Sequence, residues 1–434
     1  MTLPLQSEPV QAVPIPGDRD RIRQLMLFFG VVYVVEGIGQ HVGIISQPLR
    51  YYLKEVYAWT PLQVTAFFTA FDFPWVIKPI YGLVSDFVPL FGYRRKSYLM
   101  IASVLATSSY LLATLIAAPS QLLFALLLTA YAMAISSTLC GALLVENGQR
   151  FGTSGDFVNQ QWLWFNIANM SALLIGGKLV EFLSPASALH TAALTAAAAP
   201  IAVIFGATYL VSEERRAANL PELKIAFRGL LTSFKTRELW VVGFFLFLYY
   251  FSPGFNTPLY YHMTDTLHFS QGYIGMLGAI TSAGSIAGAL LYRRYLTTMT
   301  SKQLLQLSIV LGAISSASFL LLFDEATAAA LNFCNGVVAM IALVATLTLA
   351  ADYCPKRSEG FAFAVLMSVT NLASSLADNV GSFLYEHAFQ SRLAPLILVS
   401  AAFTAFAWAL IPLLHLGNKP QGRPMPREGA DIRT

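Results

Sequence analysis

The chain has 434 residues, of which 56% are hydrophobic and 12% charged. Soluble domains carry about 25% charged residues, so the composition excludes a soluble globular enzyme, a disordered protein and a secreted disulfide scaffold. Cys140, Cys334 and Cys354 make no disulfide framework, and the net charge of +4 matters less than where the charges sit.

Residues 1–23 are polar, contain Pro4, Pro9, Pro14 and Pro16, and lack the features of a signal peptide. They read as a cytoplasmic tail. Apolar runs follow at 24–47, 61–84, 97–117, 120–146, 158–183, 188–211, 238–262, 271–292, 302–323, 326–351, 359–388 and 392–416. Each is long enough to cross about 30 Å of hydrocarbon as a helix, and the alternation of a β-barrel is absent. The expected fold is an all-α membrane protein of twelve transmembrane helices: one six-helix bundle at 24–211, a linker at 212–237, a second bundle at 238–417 and a tail at 418–434. The linker interleaves Ile225, Phe227, Leu230, Leu231 and Phe234 with Lys224, Arg228 and Lys235, the pattern of an amphipathic helix on the membrane face.

Basic residues set the orientation. With both termini in the cytoplasm, 22 of the 27 Lys and Arg fall in inner segments, Arg50, Lys54 and Arg392 fall outside, and Lys78 and Lys178 fall within spans. That split is a positive-inside signal. It spreads the charge over every inner loop and calls for anionic lipid, not nucleic acid, as its partner.

Charges inside spans are the candidate site, because a carboxylate at mid-bilayer costs about 2.5–3.5 kcal/mol on insertion scales. Glu36 lies about 18 Å into the first span, Asp72 about 17 Å into the second, and Asp378 about 15 Å from the outer end of the eleventh. At about 100° per residue, Glu36, Gln40, Gly43 and Gln47 share one stripe of the first span. Ser368, Asn371, Ser375, Asp378 and Ser382 make another. His41 then lies about 140° from Glu36 and reads as a packing or interhelical residue, not a proton relay. Lys78, between Pro74 and Pro79, either binds an anion, neutralises a carboxylate or snorkels to the inner headgroups. Lys178 and Glu181 read as a local ion pair. Asp86 with Arg94, Arg95 and Lys96, and Glu146 near Arg150, sit at inner helix ends and suggest a conformational latch. Two prolines, a glycine and Asn256 within 252–258 break the seventh span, which is tolerable only against protein or a cavity.

The stretch Pro74-Trp75-Val76-Ile77-Lys78-Pro79-Ile80-Tyr81-Gly82, followed by Ser85-Asp86, Pro89 and Gly92-Tyr93-Arg94-Arg95, resembles the signature of the folate–biopterin transporter family within the major facilitator superfamily. Cys354-Pro355-Lys356, Glu359-Gly360 and 363–372, and the stretch 261–275, resemble two further blocks of that family. The resemblance runs from about residue 30 to 388. It implies the twelve-helix fold and secondary transport of folate- or pterin-like solutes. Glu36, Asp72, Asp378 and Gly141 depart from the family's usual residues.

No P-loop, metal cluster or nucleophile elbow supports catalysis, and no cofactor or metal is called for. The reading is a monomeric transporter in a bacterial cytoplasmic membrane, driven by protons. Its candidate substrate and coupling residues are Glu36, Gln40, Asp72, Lys78, Asn256, Asn371 and Asp378; its candidate gate is Asp86, Arg94, Arg95 and Glu146. With Lys78 the only nearby mid-span cation, the acids are expected to favour a neutral or cationic heterocycle over a folate dianion. A muropeptide permease-like importer and an organic-cation or drug transporter are the alternatives within the superfamily; a non-transporting receptor or scaffold is the alternative outside it.

Overall fold

A computed structural model describes residues 16–151, 153–215, 217, 237–353 and 359–414. The elements are α1 (Pro16–Gly39), α2 (Ser46–Tyr57), α3 (Pro61–Val76), α4 (Lys78–Phe87), α5 (Lys96–Ala113), α6 (Pro119–Phe151), α7 (Ser154–Phe182) and α8 (Pro185–Tyr209), followed by α9 (Arg237–Tyr250), α10 (Asn256–Tyr261), α11 (Gln271–Leu291), α12 (Ser301–Ser318), α13 (Glu325–Asp352), α14 (Glu359–Phe383) and α15 (Leu393–Phe406). Short π-helical turns at His262–Thr266, Tyr292–Leu296 and Leu384–Ala388 prolong α10, α11 and α14. The predicted amphipathic linker and the C-terminal tail lie outside the described residues, apart from the linker's first residues and Arg237.

Eight helices among the described residues are long and apolar enough to cross a membrane. The predicted runs at 61–84, 97–117, 238–262 and 359–388 are helical too, but differ in kind. The first and third are interrupted, and α5 and α14 carry more Ser, Thr and Asn.

Local chemistry sets the ends. Thr60 caps α3 in a reciprocal box with Gln63, and Thr300 caps α12 in the same way with Gln303; each box satisfies two otherwise orphaned backbone donors. Pro61 and Pro185 open α3 and α8, where a missing N–H costs nothing. Between α3 and α4 the helix breaks at Ile77 (φ −99°, ψ 15°). Pro79 has no N–H to continue the ladder, and the Tyr81 hydroxyl donates to the Pro74 carbonyl at 3.1 Å.

The first predicted span is corrected by the structure. The helix begins at Pro16 and ends at Gly39; a turn over 40–45 leads into α2. The Gly43 N–H donates to Gln40 O and the Ile44 N–H to Ile38 O, bonds that close a helix end instead of extending it. Glu36, Gln40, Gly43 and Gln47 therefore do not form one helical stripe.

The chain divides into two compact units. One comprises residues 1–232 and 260–279, the other 233–259 and 280–434. In the first, Phe67, Phe68, Phe71, Tyr110, Leu122 and Ala193 belong to one buried cluster, and Leu25, Phe28, Phe29, Tyr33, Met133 and Phe157 belong to another. In the second, Val242, Phe245, Leu246, Leu305, Leu349 and Leu366 pack together.

Residues 260–279 are tied to α2 and to the turn after it by side-chain contacts. Gln47 Nε2 donates to the Gln271 carbonyl at 2.6 Å and to Gln271 Oε1 at 2.9 Å. The Tyr261 hydroxyl donates to Trp59 O. Lys54 Nζ lies 2.6 Å from Asp265 Oδ1 and 3.0 Å from Glu55 Oε1. Burial alone lowers the Lys54 pKa, but its bonds to Asp265 and Glu55 outweigh that and raise it above the ordinary lysine value. The stabilisation from this ion pair is thus complete below about pH 10.4, the free-lysine range, and is lost as pH rises through the higher folded value. The predicted Lys178–Glu181 pair is present at 2.6 Å.

Gln47→Leu removes both bonds to Gln271. It is expected to cost about 1–3 kcal/mol and to raise amide hydrogen exchange over 260–279 more than elsewhere. An exchange map in detergent micelles that leaves this segment as protected as in the wild type would contradict the assignment.

Candidate functional site

Glu36, three residues before the end of α1, is buried at 8% exposed. Its Oε1 accepts from Gln40 Nε2 at 2.5 Å and from Ser137 Oγ of α6 at 2.9 Å. Oε2 is buried with no hydrogen-bond partner. Lys78 Nζ, at the first residue of α4, donates to the same Ser137 hydroxyl at 3.2 Å. The break at Ile77 starts a new helix at Lys78, and the ammonium lies 4.1 Å from the centre of the Trp75 ring. The outcome is an acid and a base joined through one hydroxyl. Of the three readings open for Lys78, the geometry realises neutralisation of a carboxylate. A small cavity beside them is lined by Glu36, Val32, Ser103, Met133, Ser136 and Pro200, among others.

Asp72, on α3, is not in that group. Its Oδ1 lies 3.0 Å from His41 Nδ1. Neither atom makes an aligned hydrogen bond, so the link is a close charge contact. His41 contacts Asp72 from the turn after α1, and its assumed angle from Glu36 has no meaning once the helix stops at Gly39. Ser137 and this use of His41 are what sequence reasoning missed. A histidine just past a Gly-x-Gly helix end was the available signal for the second; a serine within an apolar span gave none for the first.

In the second unit the broken seventh span lies on α14, as its prolines and glycine suggested. The Gly254 N–H donates to Ala377 O at 2.9 Å. A Cβ on Gly381 would collide with the Gly254 carbonyl, and one on Gly254 with the Asp378 carboxylate. Asn256, exposed at the head of α10, has its Nδ2 3.5 Å from Asp378 Oδ1. Asn371 lies seven residues before Asp378 on α14, about two turns away on the same face. Both are half-buried. Tyr249 and Tyr250 donate to or share protons with Ser308 (3.1 Å) and Thr346 (2.8 Å).

Around the loop between α4 and α5 the structure brings together the predicted gate residues. Arg95, its side chain 4% exposed, sends NH2 to Asp86 Oδ1 at 2.6 Å and to Glu146 Oε1 at 2.9 Å, and NH1 to Ser85 Oγ at 2.6 Å. Arg94 lies 3.9 Å from Asp86 and 4.0 Å from Glu146. Glu213, which the sequence reading left in the linker, accepts from the backbone N–H groups of Arg94 (2.9 Å), Arg95 (3.1 Å to one oxygen) and Lys96 (3.0 Å). Those donors form the start of α5, where a helix attracts an anion. Gly92 makes the turn possible with φ +86°, and the Arg215 side chain packs against it.

A polyhelical membrane chain with paired charges inside its spans belongs to the class of multi-pass transporters of small solutes. The fold agrees. The nucleoside transporter NupG superimposes with a TM-score of 0.68 over 92% of this chain and 100% of its own, at 14% identity. A D-xylose–proton symporter does so at 0.69 over 90% and 97%, at 12% identity. Likenesses this distant establish a fold of the major facilitator type. The particular family comes from the sequence: the BT1 family profile matches residues 37–418, and the chain belongs to that family. It is 28% identical to a folate-biopterin transporter of Synechocystis sp. over 92% of this chain and 82% of that protein. It is 24% identical to folate transporter 2 of Plasmodium falciparum over 88% and 87%. The chain is a membrane transporter and not an enzyme.

Ser137→Ala leaves Lys78 without its hydroxyl acceptor and Glu36 with Gln40 alone. We expect a loss of about 1.5–3 kcal/mol, the range for hydrogen bonds to charged groups, measured by thermal unfolding of purified protein at neutral pH. At the loop between α4 and α5, Arg95→Lys is expected to lower the melting temperature as well, because one ammonium lacks the planar fork that serves three acceptors at once. An unchanged melting temperature for Arg95→Lys would mean that the network carries no stability.

Proposed function

We propose that this protein is a proton-coupled transporter of a pterin- or folate-like heterocycle, working by alternating access between two six-helix bundles. The observation that carries the reading is Glu36, buried near the end of α1 and bonded through Ser137 to Lys78. A hydrocarbon interior tolerates such a group only with a partner, and intramembrane ionisable residues by default mark substrate or proton pathways. Membership of the BT1 family and the folate and biopterin names of its relatives support the substrate class. Glu36, Asp72 and Asp378, with Gln40, Lys78, Asn256 and Asn371, take part in coupling and recognition. A carboxylate released from its partner suits the paired donors of an amino-pyrimidine edge. The Asp86, Arg94, Arg95 and Glu146 cluster acts as the inner latch. The protein works as a monomer in a bacterial cytoplasmic membrane, with both termini in the cytoplasm.

The test is uptake of a pterin and of folate into proteoliposomes under an inward proton gradient. Glu36→Gln, Asp72→Asn and Asp378→Asn are each expected to reduce pH-dependent uptake by at least tenfold, and the neutral pterin to bind more tightly than folate. If all three variants keep wild-type, pH-dependent transport, these acids are structural and the mechanism is wrong. Asp86→Asn should fold and bind substrate but transport slowly; wild-type turnover in that variant would remove the latch.

A further inference from the structure

We propose that His41, held against Asp72, is a proton-binding group of the transport cycle, and that its charge is transmitted to Lys78 across the Trp75 ring. The proposal deepens the proton-coupled reading above and rests on it.

Exposure separates the two acid–base pairs. Glu36 is 8% exposed and fixed by Gln40 and Ser137. The His41 and Asp72 side chains are 22% and 24% exposed, less enclosed than Glu36, although the facing atoms Nδ1 and Oδ1 are themselves buried. Imidazole is also the side chain whose ordinary titration falls between about pH 5 and 8. Nδ1 faces Asp72 Oδ1 at 3.0 Å, which leaves Nε2 as the ring nitrogen at which a proton is exchanged. The turn that carries His41 is held on other sides by neutral bonds. Tyr110 of α5 donates to Gly39 O, and Asn169 of α7 donates to Val42 O at 3.1 Å. The charged or titratable groups around it are Asp72 on α3, Glu36 on α1, Lys78 on α4 and the Tyr110 hydroxyl on α5.

Trp75 connects the pairs. Its ring centre lies 4.1 Å from Lys78 Nζ and 6.4 Å from the centre of the His41 ring, edge to face. A neutral His41 leaves Lys78 as the one cation at the indole. A protonated His41 places a second cation there, and the two repel. That repulsion weakens the cation–π hold on Lys78 and with it the link through Ser137 to Glu36. Protonation at the less enclosed pair thus loosens the more enclosed one.

The experiment uses the full chain in detergent micelles. Tryptophan emission is recorded from about pH 5 to 8, and the Trp75→Phe spectrum is subtracted. A protonated imidazole beside an indole quenches it, so the difference spectrum should show one transition that His41→Gln abolishes and Asp72→Asn moves. A wild type without a transition, or a His41→Gln protein that retains it, overturns the proposal. Should His41→Gln fail to fold, Asp72→Asn decides, since a transition it leaves unmoved does not belong to this pair. In proteoliposomes, His41→Gln should bring the ratio of pterin or folate uptake at acid and alkaline pH to about one, while uptake at alkaline pH persists. If the wild type carries neither solute, the proposed function fails, and the emission titration still decides the role of His41.

Discussion

Hydrocarbon solvates neither a charge nor a free backbone dipole, and two breaks in the helices, at Ile77 and after Tyr250, answer that constraint. The break at Ile77 exposes the Pro74 carbonyl, and Tyr81 reaches back to it. The break after Tyr250 exposes the backbone at 251–255, and Gly254 lays its N–H on the carbonyl of Ala377. Removing side chains at 254 and 381 makes that approach possible and brings the chain onto the Asp378 carboxylate. Irregular backbone and ionisable side chains therefore occur together. The breaks deliver Lys78 and Asn256 to acids that continuous helices would have held elsewhere.

The same rule works differently where the chain meets water. At the loop between α4 and α5 the acids Asp86 and Glu146 are substantially exposed and each could be solvated alone. The buried member is Arg95, and its guanidinium holds three oxygens in one plane. Glu213 adds a second layer by collecting backbone donors at the start of α5. It joins the chain leaving α8 to the loop between α4 and α5, so this end of the unit is tied by charge to a helix terminus and not by a loop's own packing.

Much of this was legible in the sequence because hydrophobicity and proline act locally. Apolar length marked the helices, basic loops marked a consistent side, and the residues at 252–258 announced a broken span. Asp86, Arg94, Arg95 and Glu146 were recognisable because charges crowd at helix ends for few reasons. The end of α1 was not legible. Gln40 through Ile45 continue an apolar run, and only the glycines hint that the helix stops, so the face assigned to His41 was wrong. Long-range partners were hidden for another reason. Many hydroxyls in these helices bond their own backbone, and nothing in its sequence neighbours marks Ser137 as one that reaches across instead. The packing of 260–279 on α2 depends on tertiary contacts such as Gln47 with Gln271, which no local pattern encodes.

Ser137 carries one proton and stands between a donor and an acceptor. While it accepts from Lys78 it is free to give that proton to Glu36, and the three groups form a wire with a single polarity. A hydroxyl cannot give its one proton in both directions. When Glu36 gains a proton of its own, the serine no longer has an anion to serve, and its rotor is released to turn toward another acceptor. The strength of the bridge thus depends on the charge at one end, because a carboxylate accepts the serine proton more strongly than a carboxylic acid does.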